Sequence, residues 1–227
     1  MDYIVKKIDN KKASQIIKLN HYSHTWSSCK YALGLYRDGL ILGVAAYGWP
    51  VGRNAALSIS PRVNEKEVME LTRLWVSDSE GKNTESWFLG KTFTWFKQHD
   101  RTVKVLISYS DPNAGHAGII YQATNWIYQG RNSDNKWYLI NGELVHPRTV
   151  HTKYGTRAMD ELKKLDSIAS VDFVEVETKH RYIYVLAGKK ERTKIIDSLY
   201  RPPLKYDRTS YFAGLYNKSK TNIFFDE

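Results

Sequence analysis

The chain has 227 residues, 42% hydrophobic and 13% aromatic, with 16 Tyr and 7 Trp, enough apolar surface for a packed core and too much for a disordered chain. Lys and Arg number 34 against 24 Asp and Glu, a formal charge of +10 that favours polyanionic partners such as nucleic acid. No apolar run is long enough to span a membrane, the first ten residues do not read as a signal peptide, and the single Cys29 cannot close an internal disulfide, so a reducing cytoplasm is expected.

Taken in chain order, Tyr3 to Ile8 alternates like a short strand, and Ala13 to Asn20 reads as a helix carrying Ile16, Ile17 and Leu19. A polar, aromatic loop follows, His21-Tyr22-Ser23-His24-Thr25-Trp26. Tyr31–Tyr36 and Leu40–Tyr47 flank Arg37-Asp38-Gly39, and Asp-Gly between apolar runs predicts a hairpin. Trp49-Pro50-Val51-Gly52-Arg53 breaks the meander, and Glu70 to Val76 is the next strand. The turn-rich loop Ser77 to Thr84 leads into a helix that Asn83 or Thr84 would cap, running to His99 with Phe88, Leu89, Phe93 and Phe96 on one stripe.

Val103 to Tyr109 predicts a strand ending in the loop Asp111-Pro112-Asn113-Ala114-Gly115. Ala117 to Thr124 reads as a short helix with Ile119, Ala123 and Trp126 in register, and Trp126–Tyr128 and Lys136–Ile140 flank Arg131–Asn135 before a turn at Asn141-Gly142. His146 to Arg157 holds Arg148, Lys153 and Arg157 with no acid, which suggests a basic loop along a DNA backbone. Arg157–Ser167 reads as a polar helix, Arg181–Leu186 as a closing strand and Lys189–Leu199 as a helix, and Pro202-Pro203 ends regular structure before a polar tail. No repeat is visible, so one domain over residues 1–227 is expected, with residues from about 145 onward as a C-terminal extension.

The order hairpin, strand, loop, amphipathic helix, strand, loop, short helix is similar to that of GNAT-type acyltransferases. The segment Asn113 to Trp126, with Ala117, Tyr121 and Asn125-Trp126 in register, carries the same likeness. It implies an α/β (α+β) fold with a central, mixed, mostly antiparallel sheet flanked by helices. The strand before the long helix would splay from its neighbour, and a donor would sit near Arg73, Trp75, Gly81, Lys82 and Asn83, where the helix begins. The loop departs from the usual two-glycine phosphate cradle, since only Gly81 stands there beside Asp78 and Glu80. Acidic side chains repel a pyrophosphate, so acetyl-CoA is a doubtful donor.

Within that superfamily the chain resembles the Mom family of Mu-like phages. The residues that carry the resemblance are His21-Tyr22-Ser23, Gly43-Val44-Ala45, Gly48 to Arg53, Leu71-Thr72-Arg73-Leu74-Trp75-Val76, Tyr109-Ser110-Asp111-Pro112, Gly115-His116-Ala117-Gly118 and Ile120 to Trp126. The resemblance implies an enzyme of the host cytoplasm that adds a carbamoylmethyl group to N6 of adenine in DNA and so protects phage DNA from restriction. The donor would be a small or carrier-bound acyl or glycine-derived compound.

Adenine N6 is a poor nucleophile stacked inside the duplex, so such an enzyme must flip the base, hold it against aromatic faces and manage a proton. Asp111 is the candidate proton acceptor and Tyr121 the candidate donor to a leaving group, with Tyr109, Ser110 and His116 beside them. His21, Tyr22, Ser23, Tyr47, Trp49, Arg53 and Asn113 are the candidate substrate contacts. Each has a plainer reading: Asp111 as a turn former, Tyr109 and Tyr121 as packed rings with wet hydroxyls, and Arg53 as a loop cation. His21, His24 and His116 form a weaker alternative as metal ligands. Two other function classes stay open, an N-acetyltransferase using acetyl-CoA on an amine and a non-catalytic nucleic-acid-binding module.

Overall fold

The computed structural model describes residues 2–132, 136–206 and 224–225, without the side chains of Arg53 and Arg148 or those of residues 224–225. A central sheet has the strand order β1-β2-β3-β4-β5-β10-β6, built from β1 (Ile4–Lys7), β2 (Tyr31–Arg37), β3 (Leu40–Gly48), β4 (Val68–Val76), β5 (Val105–Ser110), β6 (Ile127–Arg131) and β10 (His180–Val185). Among the described residues only β4 and β5 run parallel. The fold is therefore mixed α/β around a mostly antiparallel sheet, as expected. The β2–β3 turn is the Asp-Gly hairpin, with both residues left-handed at φ 53° and 76°.

Alternation along each strand divides the apolar residues between two faces. Leu33, Leu35, Ala45, Tyr47 and Leu106 pack under α3 (Thr84–His99), which contributes Phe88, Leu89, Phe93 and Phe96. Each of the Leu and Phe side chains adds about 1.5–3 kcal/mol on burial. On the opposite face Ala32, Ile41, Val44 and Trp75 pack under α1 (Asn10–Asn20), while Val105, Ile107 and Ile183 pack with Ala56 of α2 (Arg53–Leu57) and Ile195 of α7 (Lys189–Asp197).

Several sequence expectations change here. Helix α1 begins three residues before Ala13, because Asp9 Oδ1 accepts from the N–H groups of Lys11 and Lys12 at 2.8 and 3.1 Å. Neither Asn83 nor Thr84 caps α3 by side chain; Asn83 turns left-handed at φ 69° and the Thr84 hydroxyl donates to Gly81 O at 2.8 Å. Helix α4 is one turn, Ile119–Ala123, entered from left-handed Gly118 at φ 72°. That start rotates the helix so that Tyr121 and Trp126 are buried, while Ile119 is half exposed and Ala123 faces solvent.

The basic segment after His146 is a helix, α5 (Pro147–Tyr154), and the expected polar helix shrinks to the single turn α6 (Met159–Leu162). Strand β7 (Lys136–Ile140) pairs with β8 (Glu143–Val145) and with β9 (Val171–Glu175), an unexpected strand, to make a separate three-stranded sheet. This sheet packs on α5 and α6 through Tyr138, Ile140, Val150, Leu162 and Ile168. It lies wholly within residues 132–179, between β6 and its neighbour β10: Arg131 and His180 are direct ladder partners, and Asn132 N–H donates to Lys179 O at 2.9 Å. The tail is not wholly irregular, since β11 (Phe224–Phe225) pairs with Ile41 and Leu40. The expected segment through Asn135 lies partly outside the described residues. Among the described residues no helix is long and apolar enough to cross a membrane.

Candidate functional site

The site grows out of a break in the central sheet. Strands β4 and β5 pair only from Val68–Glu70 to Val105–Ile107; beyond that β4 keeps only β3 as a neighbour and β5 only β10. On its other edge β4 carries a bulge: Leu71 pairs with Tyr47 and Arg73 with Ala46, leaving Thr72 as an extra residue whose hydroxyl donates to Ala46 O at 3.2 Å. A bulge bends a strand and re-aims its side chains, and here it accompanies the departure of β4 from β5. Where the ladder stops, the Ser108 hydroxyl donates to Leu71 O at 2.9 Å and so takes over a backbone acceptor that would otherwise be orphaned.

The split opens a cleft of about 270 Å³ between the strands. Its walls include His21, Tyr22, Arg73, Tyr109, Ser110, Asp111, His116 and Tyr121, eight residues singled out from the sequence. Leu71, Thr72 and Glu85 line it as well and were not foreseen; Glu85 stands solvent-exposed in the first turn of α3. Leu71 and Thr72 belong to a segment that carries the family resemblance but were given no role at the site, because their place depends on how far β4 leaves β5.

Tyr121 is buried, stacked on Tyr182 at 4.7 Å and edge-on to Trp126 at 5.1 Å. Its hydroxyl lies 2.8 Å from Ser108 Oγ. Since the Ser108 hydrogen goes to Leu71 O, Tyr121 is the donor in that contact. Burial raises the Tyr121 pKa well above the ordinary phenol value, so the ring holds its proton. Asp111 closes the other side. Its Oδ1 accepts from the backbone and side-chain N–H groups of Asn113, both at 3.0 Å, and its Oδ2 pairs with Lys179 Nζ at 3.1 Å. Asp111 is thus a turn former that keeps acceptor capacity, because a carboxylate offers about four lone-pair sites.

The rings of His21, Tyr22 and His116 form a row, with centroids 4.3 and 4.5 Å apart. Ser23 N–H donates to His21 Nδ1 at 3.1 Å, which places the His21 proton on Nε2. Burial, and next the charge of Arg73, lower the His21 pKa to about 3, and burial also lowers that of His116. Near neutral pH the row is uncharged. The low folded pKa leaves stability full above the unfolded value near 6.5, then lost as pH falls toward 3. Between pH 7 and pH 5 the contribution is at most about 2 kcal/mol, and His21→Asn should remove most of it. Denaturant titrations at the two pH values check this; an equal loss in the variant would place the proton uptake elsewhere.

Other expected site residues stand apart from the cleft wall. Tyr47 is fully buried under α3 with its hydroxyl against Thr92, and Trp75 is buried on the α1 face. Trp49 is exposed beside Lys30, and Gly81, Lys82 and Asn83 are exposed outside the cleft. Ser23 and Asn113 act one step back, on His21 and Asp111. The Arg53 side chain lies outside the described residues, as does that of Arg148. Lys153 and Arg157 are exposed. His24 Nδ1 donates to Lys18 O at 2.9 Å, and among the described residues no group of three His, Cys, Asp or Glu side chains is arranged to hold an ion.

The acidic residues before α3 are also disposed differently from the expectation. The Glu80 side chain is only 1% exposed and accepts two bonds from Arg37 at 2.7 and 3.0 Å, so its charge is neutralised. Asp78 and Glu85 are the carboxylates left near the start of α3.

A model of the Mom protein family matches residues 2–206 of the chain. The chain is 27% identical over 140 residues to the Methylcarbamoylase mom of Escherichia phage Mu, a match over 61% of this chain and 58% of that protein, so it spans little more than half of its relative. Among solved structures it is similar to an N-acetyltransferase from Staphylococcus aureus Mu50, at 11% identity and a TM-score of 0.43 over 82% of this chain and 99% of that one. It is also similar to the ribosomal-protein-S18-alanine N-acetyltransferase of Escherichia coli, at 10% identity and a TM-score of 0.46 over 82% and 97%. These two likenesses are too distant to carry any chemistry across.

Proposed function

The chain belongs to the Mom protein family, and on that premise we propose that it is a transferase that modifies DNA by placing a small carbamoylmethyl-type group on N6 of adenine. One observation carries the reading: the parting of β4 and β5 sets an acceptor with spare capacity, Asp111, and a proton-holding phenol, Tyr121, on the walls of one cleft. The uncharged row His21–Tyr22–His116 suits the flat face of a flipped purine, which stacks on aromatic surface without a counter-charge.

In this reading Asp111 accepts a hydrogen bond from the adenine N6–H and orients the amine. As the bond from N6 to the donor carbon forms, the bond from that carbon to its leaving group breaks. The N6 proton passes to the Asp111 carboxylate, and Tyr121 gives its proton to the leaving group. Ser108 then rotates its hydroxyl to donate to the tyrosinate. The donor is acyl or glycine-derived, free or carrier-bound. Asp78 and Glu85 disfavour a diphosphate such as that of acetyl-CoA at the start of α3. The net charge of +10, with Lys153 and Arg157 among its exposed cations, supports a duplex partner held by its backbone. Protection of phage DNA in the host cytoplasm is the corresponding role.

Mass spectrometry of nucleosides from DNA of cells expressing the protein tests the proposal. A heavier deoxyadenosine is expected. Unchanged nucleosides from cells holding abundant soluble protein would overturn it.

A further inference from the structure

Arg181, the second residue of β10, lies directly across the ladder from Tyr109, a residue of the cleft wall. Ladder partners project to the same face with Cβ atoms about 5 Å apart. Arg181 is only 2% exposed. Its Nη1 donates to Ser58 Oγ at 2.9 Å, Nη2 reaches Ala55 O at 3.4 Å, and Nε finds no acceptor. Among the described residues no carboxylate pairs with it. The neighbouring charge is instead positive: after burial, Arg201 is what depresses the Arg181 guanidinium.

A buried guanidinium with five donors and two neutral acceptors is costly on its own terms. An anion would complete it. Burial keeps the Tyr109 hydroxyl protonated, so it too offers a hydrogen. This cluster lies on the α2 face of the sheet, opposite the face that carries α3.

We propose that Arg181 and the Tyr109 hydroxyl form a site for the phosphate of the nucleotide whose base enters the cleft. The phosphate oxygens replace Ser58 Oγ and Ala55 O, the neutral acceptors that α2 and its C-terminal flank now supply. The inference rests on the reading of the cleft as a nucleotide site.

Calorimetry with deoxyadenosine, dAMP, dTMP and inorganic phosphate tests it on the whole chain. We expect dAMP to bind at least 10-fold more tightly than deoxyadenosine, Arg181→Met to erase that difference, and inorganic phosphate alone to bind more weakly than dAMP. Equal affinity for dAMP and deoxyadenosine would overturn the phosphate site and leave the adenine reading standing. A preference that survives Arg181→Met would place the phosphate elsewhere, and inorganic phosphate binding as tightly as dAMP would make this a general anion site. If dTMP equals dAMP and both exceed the nucleoside, the phosphate site holds and adenine loses its place. Should Arg181→Met fail to fold, the Arg181 Nε–H resonance of the unaltered protein decides: it should move with dAMP and not with deoxyadenosine, and an unmoved signal would sink the idea.

Discussion

Tyr121→Phe is expected to lower the yield of modified deoxyadenosine by at least 100-fold while leaving the fold in place. Removing one oxygen keeps the stack on Tyr182 and the edge contact with Trp126. Ser108 keeps its bond to Leu71 O, so no buried donor is stranded, and the stability cost should stay near 1 kcal/mol. Proton transfer is another matter. General acid catalysis contributes roughly 10²–10⁴-fold, and among the described residues no second phenol shares the contact with Ser108. Nucleoside mass spectrometry at matched soluble protein reads the outcome. Full yield from the variant would return Tyr121 to the role of a packed ring.

The largest stability effect is expected from Arg37→Ala. Glu80 is almost completely buried, and its two oxygens depend on the Arg37 guanidinium, with Tyr3 and Ser79 as further donors. Truncating Arg37 leaves a buried carboxylate without its counter-charge, a loss of about 3–5 kcal/mol when a buried pair is broken from one side. Arg37 itself is 38% exposed, which argues for the lower end. Chemical denaturation measures the loss. Glu80→Gln should cost less than Arg37→Ala, because it removes the stranded charge, and the reverse order would show that the pair is not what holds this loop.

The sequence made local features legible. Asp38-Gly39 and Asn141-Gly142 both mark left-handed hairpin turns, and the Phe88, Leu89, Phe93, Phe96 stripe marks the buried face of α3, since turn chemistry and helical spacing are properties of a few neighbouring residues. The cleft was legible through the clustering of short polar and aromatic residues at the ends of elements, which brought eight of its wall residues into view. What stayed hidden depends on distant partners. Tyr47 reads as a site residue until β3 alternation turns it under α3. Glu80 reads as a free charge until Arg37, 43 residues away, reaches it. Strand β9 has too short a pattern, Val171-Asp172-Phe173-Val174-Glu175, to stand out before it pairs with β7. Arg181 looks like any strand arginine until the ladder sets it opposite Tyr109.

The chain leaves the central sheet at Arg131 and returns at His180, its own ladder partner, so residues 132–179 form an excursion that starts and finishes at one point. A detour of this kind imposes nothing on the strand order on either side. It could be lengthened, exchanged or replaced by a tight hairpin connection without shifting the register of β6 against β10. The freedom stops at the root. Lys179 holds the Asp111 carboxylate and Glu177 O holds the Asn113 amide, so a graft that respected the sheet but discarded residues 177–179 would keep the scaffold and loosen the rim of the cleft.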